Sequence, residues 1–211
     1  MKLVVGLGNP GSRYQHTRHN LGFLALDHFT DRYAARDASS RRFWQRLNPT
    51  HRKYNSVFVQ GVCSDEEFVA VKPETFMNRS GEAVRAFTAQ YKLAPEQVII
   101  LCDDIHLRFG YVRIRAAGSS GGHNGLRSIA ECLESDAFMR LRLGVGAPEK
   151  AGDHAGQAPD LADYVLSPFS DEEMERLPAF LEHVSSALAL LVQGNTNKAM
   201  NTYHGRDCTQ A

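Results

Sequence analysis

The stretch Val98-Ile99-Ile100-Leu101-Cys102-Asp103-Asp104 sets an apolar run directly against two acids. A run this short, β-branched at its start and closed by polar residues, reads as a strand buried on both faces, the habit of parallel strands in α/β proteins. Leu3-Val4-Val5 repeats the pattern near the N-terminus, where a strand is expected over 2–8, and leads into Gly8-Asn9-Pro10-Gly11. Ligands of open α/β sheets collect beyond the carboxyl ends of such strands, so Asp103 and Asn9 are candidates for one site.

Outward from these two strands, the pattern predicts a helix over about 20–34, strands near 43–48, 54–62 and 67–72, and a helix from about Ser80 to Tyr91. A strand at 111–115 alternates Val112 and Ile114 with arginines. Helix 123–134 places Leu126, Ile129, Ala130 and Leu133 on one face, and a strand follows at 140–145. Gly, Ala, Pro and charged residues dominate 147–160, which reads as a mobile loop. Ser170-Asp171-Glu172-Glu173 is a capping box opening a C-terminal helix that buries Leu177, Leu181, Val184, Leu188 and Leu191. Alternating strands and helices predict one α/β domain over residues 1–211.

Composition narrows the class. At 211 residues and 43% hydrophobic content the chain can bury a substantial core. Cys63, Cys102, Cys132 and Cys208 are scattered without CxxC spacing, so reduced thiols and a cytoplasmic location are expected. No apolar run reaches the roughly 18 residues of a membrane span, and the N-terminus enters a strand without a signal-peptide pattern. Net charge is zero but uneven: residues 1–150 hold 21 Lys and Arg against 15 Asp and Glu, and residues 151–211 hold 3 against 9. Arg41, Arg42, Arg46, Arg52 and Lys53 form one basic group; Arg108, Arg113 and Arg115 form another. Either group reads as a solvated surface or as contacts to nucleic-acid phosphates.

Polar clusters stand at the edges of the apolar segments: Gly8-Asn9-Pro10-Gly11, Arg18-His19-Asn20, Thr75-Phe76-Met77-Asn78, Asp103-Asp104 and Gly121-Gly122-His123-Asn124. In this order and spacing they resemble the bacterial peptidyl-tRNA hydrolase family, whose GLGNPG, TRHN, KPxTFMNxSG, acidic pair and GSxGGHNGL segments match Gly6 to Gly11, Thr17 to Asn20, Lys72 to Gly81, Asp103-Asp104 and Gly118 to Leu126. The similarity continues through Phe138 to Gly144, Asp163 to Phe169 and Lys198 to Asn201. The resemblance implies a twisted, mostly parallel mixed sheet flanked by helices, in a monomer that cleaves peptidyl-tRNA without metal or organic cofactor.

Three other motifs compete. Gly6-x-Gly8-x-x-Gly11 is a literal dinucleotide fingerprint, but Pro10 removes an N–H from the phosphate cradle and the helix starts several residues late. Gly118-x-Ser120-x-Gly122 matches a serine nucleophile elbow, yet the strand before it is half exposed, and His183 and His204 read more simply as surface groups. His16, His19 and Asp103-Asp104-x-His106 offer metal ligands, without HExxH or a dense Cys/His cluster.

The resemblance instead makes His19 the base that takes a proton from water, with Asp103 accepting its other ring N–H and holding the basic tautomer. Amide groups would stabilise the oxyanion that develops on attack. By resemblance, Asn9 helps to tell N-blocked peptidyl-tRNA from free aminoacyl-tRNA, and Tyr14, Phe76, Asn78 and Asn124 contact the substrate. Read without it, Asn9 is a turn residue, Phe76 a core residue, and Asn78 and Asn124 helix caps. His123 is expected only to shape the Gly-rich turn, and Asp104, sent to the other face by strand alternation, to be solvated or structural. Arg113, Arg115, Arg142 and Lys150 are expected phosphate contacts, suited to reading RNA shape rather than bases.

A noncatalytic RNA-binding relative and a Ser120 esterase are the alternative functions. One segment departs from the family: L-D-L-P-x-G is replaced by Ile105-His106-Leu107-Arg108-Phe109-Gly110, and losing the proline predicts a looser loop.

Overall fold

The computed structural model describes residues 1–33, 52–148 and 160–209. The strand expected near 43–48, the arginines at 41, 42 and 46, Lys150 and most of the 147–160 loop fall outside the described residues. Six strands form one sheet: β1 (Lys2–Gly6), β2 (Ser56–Cys63), β3 (Glu66–Pro73), β4 (Val98–Asp104), β5 (Val112–Arg115) and β6 (Met139–Gly144). Their order is β2-β3-β1-β4-β6-β5. The inner four run parallel, and β2 and β5 close the edges antiparallel. This is the mostly parallel mixed sheet that the resemblance implies.

Strand alternation divides the core in two. Leu3, Val5, Ile100 and Cys102 pack with Phe87, Leu126 and Ile129 beneath α2 (Ser80–Tyr91) and α3 (Asn124–Leu133). Val4, Ile99, Leu101 and Leu141 pack with Phe29, Phe180 and Leu188 beneath α1 (Leu21–Tyr33) and the long C-terminal helix Asp171–Val192. Each such side chain taken fully out of water contributes about 1.5–3 kcal/mol, and the two layers hold the strand ends in fixed register. Two helices went unanticipated: α4 (Leu161–Leu166), before the long helix α5 (Asp171–Val192), and α6 (Thr196–Tyr203), after it.

Close backbone approaches fix where α1 begins. A Cβ on Gly22 would lie 2.5 Å from the Leu101 carbonyl oxygen and 2.6 Å from that of Leu7, and one on Gly6 would lie 2.5 Å from the Gly22 oxygen. The start of α1 is thus pressed onto the ends of β1 and β4. Two glycines of the apparent dinucleotide fingerprint, Gly6 and Gly8, serve this contact, with Gly8 against the Phe23 ring, whereas Gly11 has open space around it. A second approach joins α2 to α3, where Gly81 N–H donates to Ser128 Oγ at 3.0 Å. Among the described residues, no helix is long and apolar enough to cross a membrane.

Candidate active site

An open cavity of about 590 Å³ lies beyond the carboxyl ends of β1, β3 and β4, and its lining includes Asn9, His19, Phe76, Asn78, Asp103 and Asn124. Segments far apart in sequence meet there because the sheet brings three parallel strand ends together and α1 and α3 both start at that edge.

Asp103 is the last but one residue of β4 and only 3% exposed. Its Oδ1 accepts from two imidazoles, His19 Nδ1 at 2.9 Å and His123 Nε2 at 3.0 Å. The tautomers follow from the partners. His123 Nδ1 accepts the N–H groups of Gly125 and Leu126, at 3.1 and 3.3 Å, as the cap of α3, so its proton sits on Nε2 and points at Asp103. On His19 the proton that meets the carboxylate sits on Nδ1, which leaves a lone pair on Nε2, the form a general base requires. Burial alone pushes the Asp103 carboxyl up, but its electrostatic interactions and hydrogen bonds with His19 and His123 outweigh it and hold it well below the usual carboxylate range.

His19, Asp103 and His123 also form a potential set of metal ligands. The fit is poor. A metal on His123 Nε2 would need that nitrogen's lone pair and drive the proton to Nδ1, where two backbone N–H groups already point. His123 is therefore more than a shaper of the turn: it is the second donor to the catalytic carboxylate candidate and the N-cap of α3. The positive φ of Gly121 (59°) and Gly122 (85°) turns the chain to deliver it.

The amide of Asn9 is oriented by its surroundings. Its Oδ1 accepts Met77 N–H at 3.0 Å, so its NH₂ faces the other way. Its backbone is clasped by Asn20, whose Oδ1 accepts Asn9 N–H at 2.8 Å and whose Nδ2 donates to Asn9 O at 3.0 Å. Asn20, 3% exposed, stands in one of the polar clusters but was given no role of its own from the sequence; it works by bracing Asn9. Asn124 follows the same logic: its Oδ1 accepts from Arg127 at 2.8 Å, leaving the NH₂ free. It is the first residue of α3 rather than its cap. Asn78 lies in a 3-10 turn, exposed at the cavity, and Phe76, 58% exposed, is not a core residue.

Other sequence expectations are redistributed. Tyr14 does not line the cavity; its hydroxyl takes a hydrogen bond from Arg13, whose guanidinium lies over its ring. Arg113 and Arg115 stand directly across from Arg142 and Arg140, on one face of the β5–β6 edge. The outer pair is accessible. The inner pair is buried: Arg142 bonds the carbonyls of Ser119 and Ser120 at 3.0 Å and Asp104 Oδ2 at 3.4 Å, and Arg140 bonds the carbonyls of Asp136, Phe138 and Gly118. Arg142, expected as a phosphate contact, lines the cavity and holds the Gly-rich loop in place.

Asp104 is structural and not solvated, being 5% exposed. Its Oδ1 also accepts His106 N–H at 2.9 Å, and Gly146 N–H donates to Leu107 O at 2.8 Å. These bonds supply the restraint that the missing proline was expected to leave out. Ser120 lies outside the cavity lining, and His183 and His204 bond the backbone elsewhere, at Ala179 O and Ile114 N, so no serine triad assembles among the described residues. The Cys102 thiol is buried and pushed up by that burial, which makes it inert.

The sequence model of the family described as Peptidyl-tRNA hydrolase matches residues 3–211. The peptidyl-tRNA hydrolase of Agathobacter rectalis is 40% identical over 205 residues, covering 97% of this chain and 100% of that protein. That of Clostridium botulinum (strain Alaska E43 / Type E3) is 38% identical over 205 residues, covering 97% and 96%. The crystal structure of peptidyl-tRNA hydrolase from Acinetobacter baumannii at 1.00 Å resolution superimposes with a TM-score of 0.79 at 32% identity, covering 97% of this chain and 96% of that one. Matched in this way along nearly its whole length, the chain belongs to the peptidyl-tRNA hydrolase family.

Proposed function

We propose that the chain hydrolyses the ester bond of peptidyl-tRNA, releasing a peptide with a free carboxylate and a tRNA with a free terminal ribose hydroxyl. The carrying observation is the His19–Asp103 pair, 2.9 Å apart, which leaves the His19 Nε2 lone pair on a side chain lining the cavity. Water loses a proton to Nε2 as its oxygen attacks the ester carbonyl carbon, and Asp103 stabilises the imidazolium. The carbonyl oxygen becomes an oxyanion, to which the NH₂ of Asn9 donates. Collapse breaks the bond to the ribose oxygen, which takes the proton back from His19. Asn78, Asn124 and Phe76 hold the substrate at the cavity, and the accessible Arg113 and Arg115 contact tRNA phosphates. Every residue in this scheme comes from one chain, so a monomer suffices. The four cysteines are free thiols, in keeping with a cytoplasmic location alongside translation.

The test is single-turnover release of an N-acetylated aminoacyl group from tRNA, with the unblocked aminoacyl-tRNA as control. Wild type should cleave the blocked ester, Ser120→Ala should retain this activity and His19→Ala should lose it. Tight tRNA binding without cleavage would make the chain a noncatalytic RNA-binding relative, and loss of activity in Ser120→Ala would make it a serine esterase.

A further inference from the structure

The residue before His19 is a buried arginine that the reaction scheme leaves unused. Arg18 is 8% exposed, and its guanidinium is enclosed by groups from one distant segment. NH1 donates to Ser167 Oγ at 2.8 Å and to the Pro168 carbonyl, and NH2 pairs with Glu173 Oε2 at 2.6 Å. The Tyr164 ring lies below it at 4.6 Å and the Phe169 ring at 5.5 Å. Its own N–H donates to Ser167 O at 3.1 Å, and Thr17 makes a backbone bridge to Pro168.

Both ends of this strut matter to the cavity. At one end, Arg18 and His19 share the 3-10 turn Arg18–Asn20, so Arg18 fixes the backbone that carries the base. At the other, Ser167 follows α4, whose Leu161, Ala162, Val165 and Leu166 line the cavity wall. Glu173 Oε2 also accepts Ser170 N–H at 2.7 Å in the capping box of α5, so the acid partner is itself held in place. Tyr164 OH donates to Val145 O at 2.8 Å, tying α4 to the end of β6.

We infer that Arg18 is a positioning residue that couples the α4 wall of the cavity to the His19 base, so that wall and base keep one geometry. The inference rests on the proposed hydrolase reading and adds a residue to it. A guanidinium suits the role because its fork bonds a carboxylate, a hydroxyl and a carbonyl at once while stacking on rings, which an ammonium cannot reproduce. A base displaced by about 1 Å can cost on the order of a hundredfold in rate, and a displaced wall weakens ground-state binding.

The experiment measures kcat and KM separately on N-acetylated aminoacyl-tRNA for wild type, Arg18→Met, Arg18→Lys and Glu173→Gln, with rates normalised to folded protein. Arg18→Met should lower kcat by about tenfold or more and raise KM severalfold, with Arg18→Lys and Glu173→Gln intermediate in both. A merely structural role would lower the folded fraction but leave KM and the normalised kcat of the folded protein unchanged. If Arg18→Met does not fold, the two milder variants decide the matter by the same joint change. Should kcat and KM both stay within twofold of wild type, or only one of them change, the coupling is refuted. An inactive wild type would instead refute the hydrolase reading itself.

Discussion

Replacing Asp103 with asparagine isolates the charge of the central carboxylate from its shape. The amide of Asp103→Asn would keep an oxygen for the N–H groups of His19 and His123, now 2.9 and 3.0 Å from Oδ1, on a residue that is itself only 3% exposed. What disappears is the negative charge facing the imidazolium when His19 takes a proton. Two unit charges about 4 Å apart at an effective dielectric near 20 attract by about 4 kcal/mol. That interaction exists in the transition state and is absent while His19 is uncharged, so its loss falls on kcat: about a thousandfold, at 1.36 kcal/mol per decade. KM should hardly move, because the buried carboxylate touches histidines. Single-turnover cleavage of N-acetylated aminoacyl-tRNA near pH 7 reads the effect directly. If kcat of Asp103→Asn stayed within tenfold of wild type, the charge would not stabilise the imidazolium, and the pairing would serve only to orient the ring.

Asn9→Asp keeps the oxygen that accepts Met77 N–H but puts a carboxylate oxygen in place of the NH₂, so kcat/KM should fall by about 10²–10³ while Tm changes little. Gly81→Ala places a Cβ far inside van der Waals contact with the Ser128 carbonyl oxygen, and backbone must move to relieve it; a loss of about 1–3 kcal/mol in urea-unfolding stability should appear as α2 and α3 are forced apart. Asp103 has a carboxyl lowered in the folded state, where the two imidazoles overcome the upward push of burial, so its ionisation stabilises the fold above about pH 4 and that stability is lost as pH falls further. Wild type should therefore lose stability more steeply than Asp103→Asn below about pH 4, and parallel curves there would contradict the assignment.

The sheet was legible because β1 and β4 are short apolar runs with polar ends, a pattern that survives without knowing their neighbours. The His19–Asp103 pairing was legible only through the family's ordered motifs, since nothing local brings residues 84 positions apart together. His123 was underestimated because its reach depends on two successive left-handed glycines, a backbone detail that the letters Gly121-Gly122 permit but do not demand. The loop-holding bonds of Arg142 were illegible for a different reason. Alternation in β6 correctly gives it the face opposite Leu141 and Leu143, but cannot say that the 118–122 loop folds over that face and claims its guanidinium. Helix α4 escaped notice because its six residues are too few to display a helical period.

The bonds around Asn9 have an implication for inhibitor design. Its side chain is set by the turn after β3, through Met77, and its backbone by the turn before α1, through Asn20. None of these bonds involves a substrate atom, so the direction of the NH₂ is settled when the protein folds, and the entropy of ordering it is lost then rather than on binding. A compound with a tetrahedral oxyanion in place of the ester carbonyl would meet a donor already aimed. Its affinity would report the strength of that hydrogen bond, undiminished by any cost of organising the loop that supplies it.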